Sequence, residues 1–308
     1  MNVLSLFDGI SCGLVALKRN KIPIKNYYAC EIEKNAIQIS QKNHPEIQSL
    51  GSVVGLTPPS IDLLIGGSPC QDLSIAKKGR KGLDGERSGL FWEYVRILKE
   101  SKPKWFILEN VNSMSKESKA KITEIMGVEP IMINASLVSA QSRKRLFWTN
   151  IPVQGLPEDR NILLKDILES GEIDERMTSK GKAFCLDANY YKGSSQEHSI
   201  EKKVRTQIIR MKEFEKNSSQ PNRIYSIEGK IGTLTCGIKP RIYNNEIRKL
   251  TPIECERLQG LPDDYTEGVS NSQRYKCLGN AFNVDVICFI LSFLEINNNG
   301  RKELLPKT

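Results

Sequence analysis

The stretch NVLSLFDGISCGLVALKRN, residues 2–20, decides the fold. NVLSLF is a short apolar run of strand length. DGISCG follows as a glycine-bearing turn, and LVALKRN starts a helix. Strand, tight turn and helix make the opening half of a βαβ unit. The same rhythm recurs downstream. NYYACE (26–31) predicts a second strand and EKNAIQISQKNH (33–44) a second helix. IDLLIGG (61–67) predicts a third strand. SGLFWEYVRILKESKP (88–103) predicts an amphipathic helix with Leu90, Phe91, Tyr94, Val95 and Leu98 on its apolar face, ended by Pro103. KWFILENV (104–111) predicts a fourth strand. This alternation implies an α/β fold with a doubly wound, mostly parallel sheet. INASLVSAQSRKRLFWTNI (133–151) adds strand structure around a basic loop.

The composition changes after about residue 155. Residues 156–248 are polar and irregular, and are expected to form a smaller inserted domain between a main domain (1–155) and its return (249–293). Within the insertion, EKKVRTQIIRMKEFEK (201–216) predicts a basic helix. LTPIECERLQGLP (250–262) and VDVICFILSFLEI (284–296) predict helices in the return. The asparagine-rich tail, 294–308, is expected to fray.

The chain has 308 residues and a formal charge of +9, which suits either a polyanion such as nucleic acid or simply a solvated lysine-rich surface. Its eight cysteines show no C-x-x-C spacing, and its two histidines, His44 and His198, are far apart, so no metal site is predicted. No basic leader precedes the apolar N-terminus, and no run of about 18 apolar residues exists, so a cytoplasmic protein with reduced thiols and no membrane segment is expected.

Three clusters carry chemistry. First, the turn after the opening strand lies where a parallel sheet binds ligands. Glu31 ends the second strand, placed to accept hydrogen bonds from ribose hydroxyls. The loop lacks G-x-G-x-x-G, so a nucleoside cofactor without a pyrophosphate fits better, and S-adenosylmethionine is the common one. The alternative is a plain turn with a surface glutamate. Second, GGSPCQDLSIA (66–76) presents Cys70 behind Pro69 at the carboxyl end of a strand, as a nucleophile or as a buried inert thiol. Third, Glu109 ends the next strand, where burial would favour holding or donating a proton, or where it is a plain acidic residue at a strand end, and QSRKR puts Arg143 and Arg145 two apart. In an extended segment both arginines share a face, suited to a phosphate, to a carbonyl-rich heterocycle or to solvent.

In order, LSLFDGISCG, ACEIEKNA, GGSPCQDLS, GLFWEYVRIL, LENV, QSRKR, LTPIECERLQGLPDDY and CLGNAF resemble the cytosine-C5 DNA methyltransferases. The match covers most of 1–155 and 249–293. GGSPCQDLSIA and PIMINASLVSA are also similar to the vertebrate de novo branch, while the short chain is more like a bacterial or phage enzyme. The resemblance implies a class I S-adenosylmethionine-dependent methyltransferase fold of Rossmann-like type. It implies that Cys70 attacks C6 of cytosine, that Glu109 contacts N3 and the exocyclic amine, and that Arg145 with Arg143 contacts O2. The same resemblance implies cofactor contacts from Phe7, Asp8, Gly9, Ile10, Glu31, Ile32, Pro69, Leu90, Asn280 and Ala281, with S-adenosylhomocysteine as product. The target base must then be flipped from duplex DNA.

The glycine-punctuated segment after Cys70 supplies Gln71 and Ser74 beside the thiol and Lys77, Lys78, Arg80 and Lys81 for phosphates. In such a family the insertion is the target-recognition domain. Tyr190, Tyr191, Lys192, Gly193, Arg223 and Arg241 are its candidate DNA contacts. Double-stranded DNA is the expected partner, the protein is expected to be monomeric and to associate with the nucleoid through DNA, and a cognate restriction endonuclease would fit the context. Two positions depart from the pattern. Ser52 stands where the family usually has an acid facing the adenine amine, with Asp62 the candidate substitute, and Ala281 replaces a common serine. Methylation of tRNA by the same chemistry and a catalytically silent DNA-binding relative are the competing functions.

Overall fold

A computed structural model describes residues 1–68, 89–169, 172–173, 176, 178–192, 196–203, 205–210, 224–225, 241–242 and 246–294. At its centre lies strand β1 (Asn2–Leu6), hydrogen-bonded to β2 (Asn26–Cys30) on one side and β4 (Leu63–Gly66) on the other. With β3 (Gln48–Gly51), β5 (Trp105–Val111), β6 (Ile131–Asn134) and β7 (Lys144–Thr149), these strands make a seven-stranded sheet in the order β3-β2-β1-β4-β5-β7-β6. Every pairing from β3 to β5 is parallel, whereas β7 runs antiparallel to both β5 and β6. The chain order reverses between β1 and β4, so their carboxyl ends open the crevice where folds of this kind hold ligands.

Both faces of the sheet are buried, and the strand period of two divides the core accordingly. In β4, Leu63 and Ile65 face one hydrophobic cluster and Leu64 faces the other. In β5, Trp105 and Ile107 alternate with Phe106 and Leu108 in the same way. On the first face lie α1 (Cys12–Arg19), α2 (Lys34–Asn43), α6 (Pro252–Leu258), α7 (Asn271–Asn280) and α8 (Val284–Ser292). On the second lie α3 (Gly89–Ser101) and α4 (Lys116–Met126). Helix α3 buries Phe91, Tyr94, Val95 and Ile97; Phe91, Val95 and Ile97 each contribute about 1.5–3 kcal/mol by leaving water.

Local chemistry fixes the helix ends. Helix α6 begins in a capping box: Thr251 Oγ1 accepts from Glu254 N (3.1 Å), Glu254 Oε2 accepts from Thr251 N (2.8 Å), and Pro252 occupies the first turn. Helix α4 is capped by Ser115 and stops at Gly127, whose φ is +68°. Helix α8 closes on α1, far away in sequence. Asn20 donates to the Cys288 carbonyl (3.1 Å), and Arg19 pairs with Asp285 (3.4 Å).

The segment beyond residue 155 is only partly separate. Leu164, Ile167, Ala183, Leu186 and Tyr190 join the first-face cluster. Beyond them, α5 (Gln196–Lys202) leads into β9 (Gln207–Arg210), which lies between β8 (Glu172–Ile173) and β12 (Glu246–Lys249) in an antiparallel sheet. A two-residue parallel pair joins β10 (Ile224–Tyr225) to β11 (Arg241–Ile242). The helix expected over 201–216 is therefore corrected. It ends at Lys202, and QIIR is a strand whose backbone pairs on both sides. Residues 211–216, like the tail after 294, lie outside the described residues.

Candidate active site

The carboxyl edge of the sheet opens into a cavity of about 330 Å³, in the range of small-ligand sites. Its floor begins where β1 ends. Phe7, Gly9 and Ser11 all have positive φ, at +56°, +60° and +60°. Two of these are not glycine, so the turn stores strain of the kind found at ligand sites. Asp8 at its centre offsets that strain. Its backbone N–H donates to the Cys30 carbonyl (3.0 Å), and its carboxylate accepts from the Tyr27 hydroxyl (2.7 Å) and from the Ser11 hydroxyl. Burial pushes the Asp8 carboxyl above the ordinary aspartate range.

Glu31, at the end of β2, is held by backbone alone. Its Oε2 accepts from Gly9 N (2.8 Å), and its Oε1 accepts from Ile32 N and Glu33 N (2.8 Å each). A carboxylate offers about four acceptor positions, so one on Oε2 stays open toward the cavity. Ile32 stands 75 % exposed at the rim. Lys276 and Glu33 pair across the mouth at 2.6 Å. Ser52 lines the wall, its hydroxyl accepting from Val54 N (3.1 Å). Asp62, the expected substitute for an acid there, lies at the opposite edge of the sheet. Its carboxylate accepts from Asn2 N (2.7 Å), at the amino end of β1.

The other wall comes from β5 and β7. The antiparallel register sets Val111 opposite Arg145 and Glu109 opposite Phe147. Glu109 and Arg145 are thus diagonal neighbours on one face, and Arg145 Nε donates to Glu109 Oε1 at 2.9 Å. A charge-assisted hydrogen bond of this kind contributes roughly 1.5–3 kcal/mol, enough to fix the carboxylate in one orientation. Gly67 is required at this wall. A methyl on it would lie 2.7 Å from the Phe282 ring and 3.2 Å from Glu109 Oε2. Asn110, fully buried, donates to Ser68 Oγ (3.2 Å) and anchors the last described residue before Pro69 and Cys70.

Arg143 departs from the expected pairing with Arg145. It precedes β7, and its guanidinium turns inward, buried, to donate to the carbonyls of Leu186 (3.0 Å), Gly279 (3.2 Å) and Ala281 (3.0 Å). Burial and the neighbouring Arg145 lower its pKa. Arg143 is a strap that ties the insertion and the CLGNAF segment to the sheet.

Of the expected cofactor residues, Phe7, Asp8, Gly9, Glu31, Ile32, Leu90, Asn280 and Ala281 line this one cavity. Ile10 does not. Its side chain is in the core, and its carbonyl accepts from the Tyr265 hydroxyl (2.8 Å). Pro69, Cys70, Gln71, Ser74, Lys77, Lys78, Arg80, Lys81, Gly193 and Arg223 lie outside the described residues, and Arg241 is described only as backbone in β11. Tyr190 was expected to meet DNA and is instead in the core. Its hydroxyl donates to Thr206 O and accepts from Leu250 N (2.9 Å). Tyr191 is half-buried and Lys192 exposed, its ammonium 5.8 Å from the Tyr191 ring centroid. The sequence reading gave no role to Phe282 or Asn110, which lie inside CLGNAF and LENV, and missed the Lys276–Glu33 pair, which spans 243 positions and leaves no local signal.

Among the described residues no His/Cys/Asp/Glu cluster could hold a metal, and no helix is long and apolar enough to cross a membrane. The model of the C-5 cytosine-specific DNA methylases matches residues 1–295. Type II methyltransferase M.HhaI of Haemophilus parahaemolyticus is 28 % identical over 317 aligned residues, covering 94 % of this chain and 93 % of its own. M.HpaII of Haemophilus parainfluenzae is 26 % identical, covering 92 % and 86 %. The solved S. pombe Dnmt2 methyltransferase shares the fold at a TM-score of 0.61, with 19 % identity and 95 % and 97 % of the two chains covered. Spodoptera frugiperda DNMT2 does so at 0.60, with 18 % identity and 95 % and 98 % covered. With its sheet order, its cavity and its family match in agreement, the chain belongs to the C-5 cytosine-specific DNA methylases.

Proposed function

We propose that the protein methylates C5 of cytosine in a short double-stranded DNA sequence, with S-adenosylmethionine as donor and S-adenosylhomocysteine as product. The observation that carries this is the meeting, in one cavity, of the Glu109–Arg145 pair with the Gly9–Glu31 clamp. The residues present fit the cofactor. Glu31 keeps an acceptor position open for ribose, the positive-φ turn at Phe7 and Gly9 brings backbone to the cavity, and exposed Ile32 offers an apolar rim for a nucleobase. Asn280 and Leu90 complete the lining. S-adenosylmethionine held there supplies the methyl group as an electrophile.

The protein's part is to make C5 a nucleophile. The Cys70 thiolate adds to C6 of the flipped base, forming a carbon–sulfur bond and moving the ring's electron pair toward C5. Glu109 contacts N3 and the exocyclic amine, offsetting the charge that the addition places on the ring. Arg145 holds that carboxylate and reaches O2. After C5 is substituted, loss of its proton and departure of the thiolate restore the aromatic ring. Residues 156–248 serve as the target-recognition domain, with Tyr191 and Lys192 among its DNA contacts. Lys77, Lys78, Arg80 and Lys81 meet phosphates.

The test is incubation with labelled S-adenosylmethionine and unmethylated genomic DNA, followed by bisulfite mapping, beside Cys70→Ala. Label at one short motif, absent with the variant, is the expected result. Label entering tRNA but not DNA would move the substrate and keep the chemistry. Label in neither, from folded protein, would refute the proposal.

A further inference from the structure

Among the described residues no cation pairs with the Asp8 carboxyl at the cavity wall. Asp8 lines the cavity, is 6 % exposed, and is surrounded by neutral donors, the hydroxyls of Tyr27, Ser11 and Ser5. Neither Asp8 nor Glu31 has a lysine, arginine or histidine ion-pair partner among the described residues. The two carboxylates oppose each other, for the Glu31 charge adds to burial in raising the Asp8 pKa. The described cations lining the cavity are committed elsewhere: Arg143 to three carbonyls, Arg145 to Glu109 and Lys276 to Glu33. A pair of like charges on one wall, one of them buried with neutral donors, favours a ligand that brings a positive charge.

We propose that the Asp8 carboxylate is the counter-charge for the donor's sulfonium, and that it makes the cavity prefer the charged donor over the neutral thioether left after transfer. This rests on the cofactor proposed above. Methyl transfer removes one positive charge from the bound molecule while leaving its nucleoside and amino-acid ends unchanged. Contacts to those ends therefore hold donor and product alike, and only a fixed charge near the reacting sulfur separates them. Asp8 gives the site a reason to release its product.

The experiment measures equilibrium affinities by calorimetry, without turnover. The ligands are S-adenosylmethionine, S-adenosylhomocysteine and a donor analogue in which an ammonium replaces the methylsulfonium. Asp8→Asn keeps the shape and an acceptor for Tyr27 while removing the charge. It is expected to weaken the two cationic ligands about tenfold, with product affinity changed less than about twofold. An equal loss for all three ligands, or no loss, overturns the proposal, because a merely structural role moves all three together. Asp8→Ala, which places no amide against Ser11, gives the same ratio if the asparagine protein does not fold. Wild-type protein that binds neither donor nor product refutes the cofactor reading itself. Wild-type protein that binds both, with a ratio Asp8 does not alter, refutes only the role of Asp8.

Discussion

Gly279 offers a sharp test of how the insertion meets the sheet. A methyl placed on it would lie 2.3 Å from the Asp187 carbonyl carbon, 2.4 Å from the Asp187 oxygen and 2.4 Å from Ala188 N. Carbon contacts are comfortable at about 3.5–4.0 Å, so backbone must move by roughly 1 Å. Alanine favours a helix interior over glycine by about 1 kcal/mol, which acts in the variant's favour. Against it stands an overpacking cost of about 1–3 kcal/mol, at the upper end because the neighbours are backbone. A 1 Å shift at residue 187 also stretches the adjoining 3.0 Å bond from Arg143 to the Leu186 carbonyl, and losing such a bond costs about 1.5–3 kcal/mol. Gly279→Ala should therefore lose about 3.5–5 kcal/mol, read as a lower urea midpoint at unchanged slope. A variant as stable as wild type would show that helix propensity governs the position, and the close passage of 187–188 over α7 would be wrong.

The two arginines should separate cleanly. Arg143→Lys cannot reach three carbonyls and should destabilise the fold by about 3 kcal/mol; Arg145→Lys should leave the melting temperature within a few degrees and lower kcat at least tenfold. Equal thermal effects would contradict the strap. Tyr190→Phe removes both hydroxyl bonds from a buried site and should cost about 1–3 kcal/mol while leaving the DNA dissociation constant unchanged; a selective loss of DNA affinity would restore Tyr190 to the interface. His44, buried between Tyr265 Oη (3.1 Å) and Lys18 Nζ (3.0 Å), has its pKa lowered by burial and then by Lys18. It folds neutral, so its contribution is complete above the unfolded value near 6.5 and is lost as pH falls from there toward its folded pKa, at up to about 1.4 kcal/mol per pH unit. Thermal melts should show that slope in wild type and a flatter one in His44→Gln; identical slopes would exclude it.

The alternating elements were legible because buried parallel strands are continuous apolar runs, and LLIG and WFILENV sit where they were expected. The direction of β7 was not, since an apolar run looks the same in a parallel or antiparallel neighbour. QIIR was misjudged because a basic amphipathic stretch satisfies a helical period while its two isoleucines favour a sheet; the partner that decides, EIRK, lies 36 residues beyond Arg210 at Glu246. Arg143 was misjudged by applying the strand period one residue too early. Strand β7 starts at Lys144, and before it the backbone bends to bring Arg143 N onto Asn134 Oδ1 (2.9 Å). Glu31 and Glu109 could be found because strand ends in a doubly wound sheet face one crevice. Tyr190 could not be excluded, since a tyrosine in a polar segment looks the same whether its hydroxyl meets DNA or the main chain.

The joining of α8 to α1 has a consequence for how the protein is made. Residue 288 must leave the ribosome before residue 16 meets its partner, and the strap at residue 143 waits for the carbonyls of 279 and 281. The nascent chain thus carries its first strand, turn and helix through most of synthesis with one apolar face uncovered. A polypeptide that stops before Phe282 lacks part of the cavity wall. The same division makes the molecule a natural candidate for cutting into two separately expressed pieces, silent apart and active when they find each other.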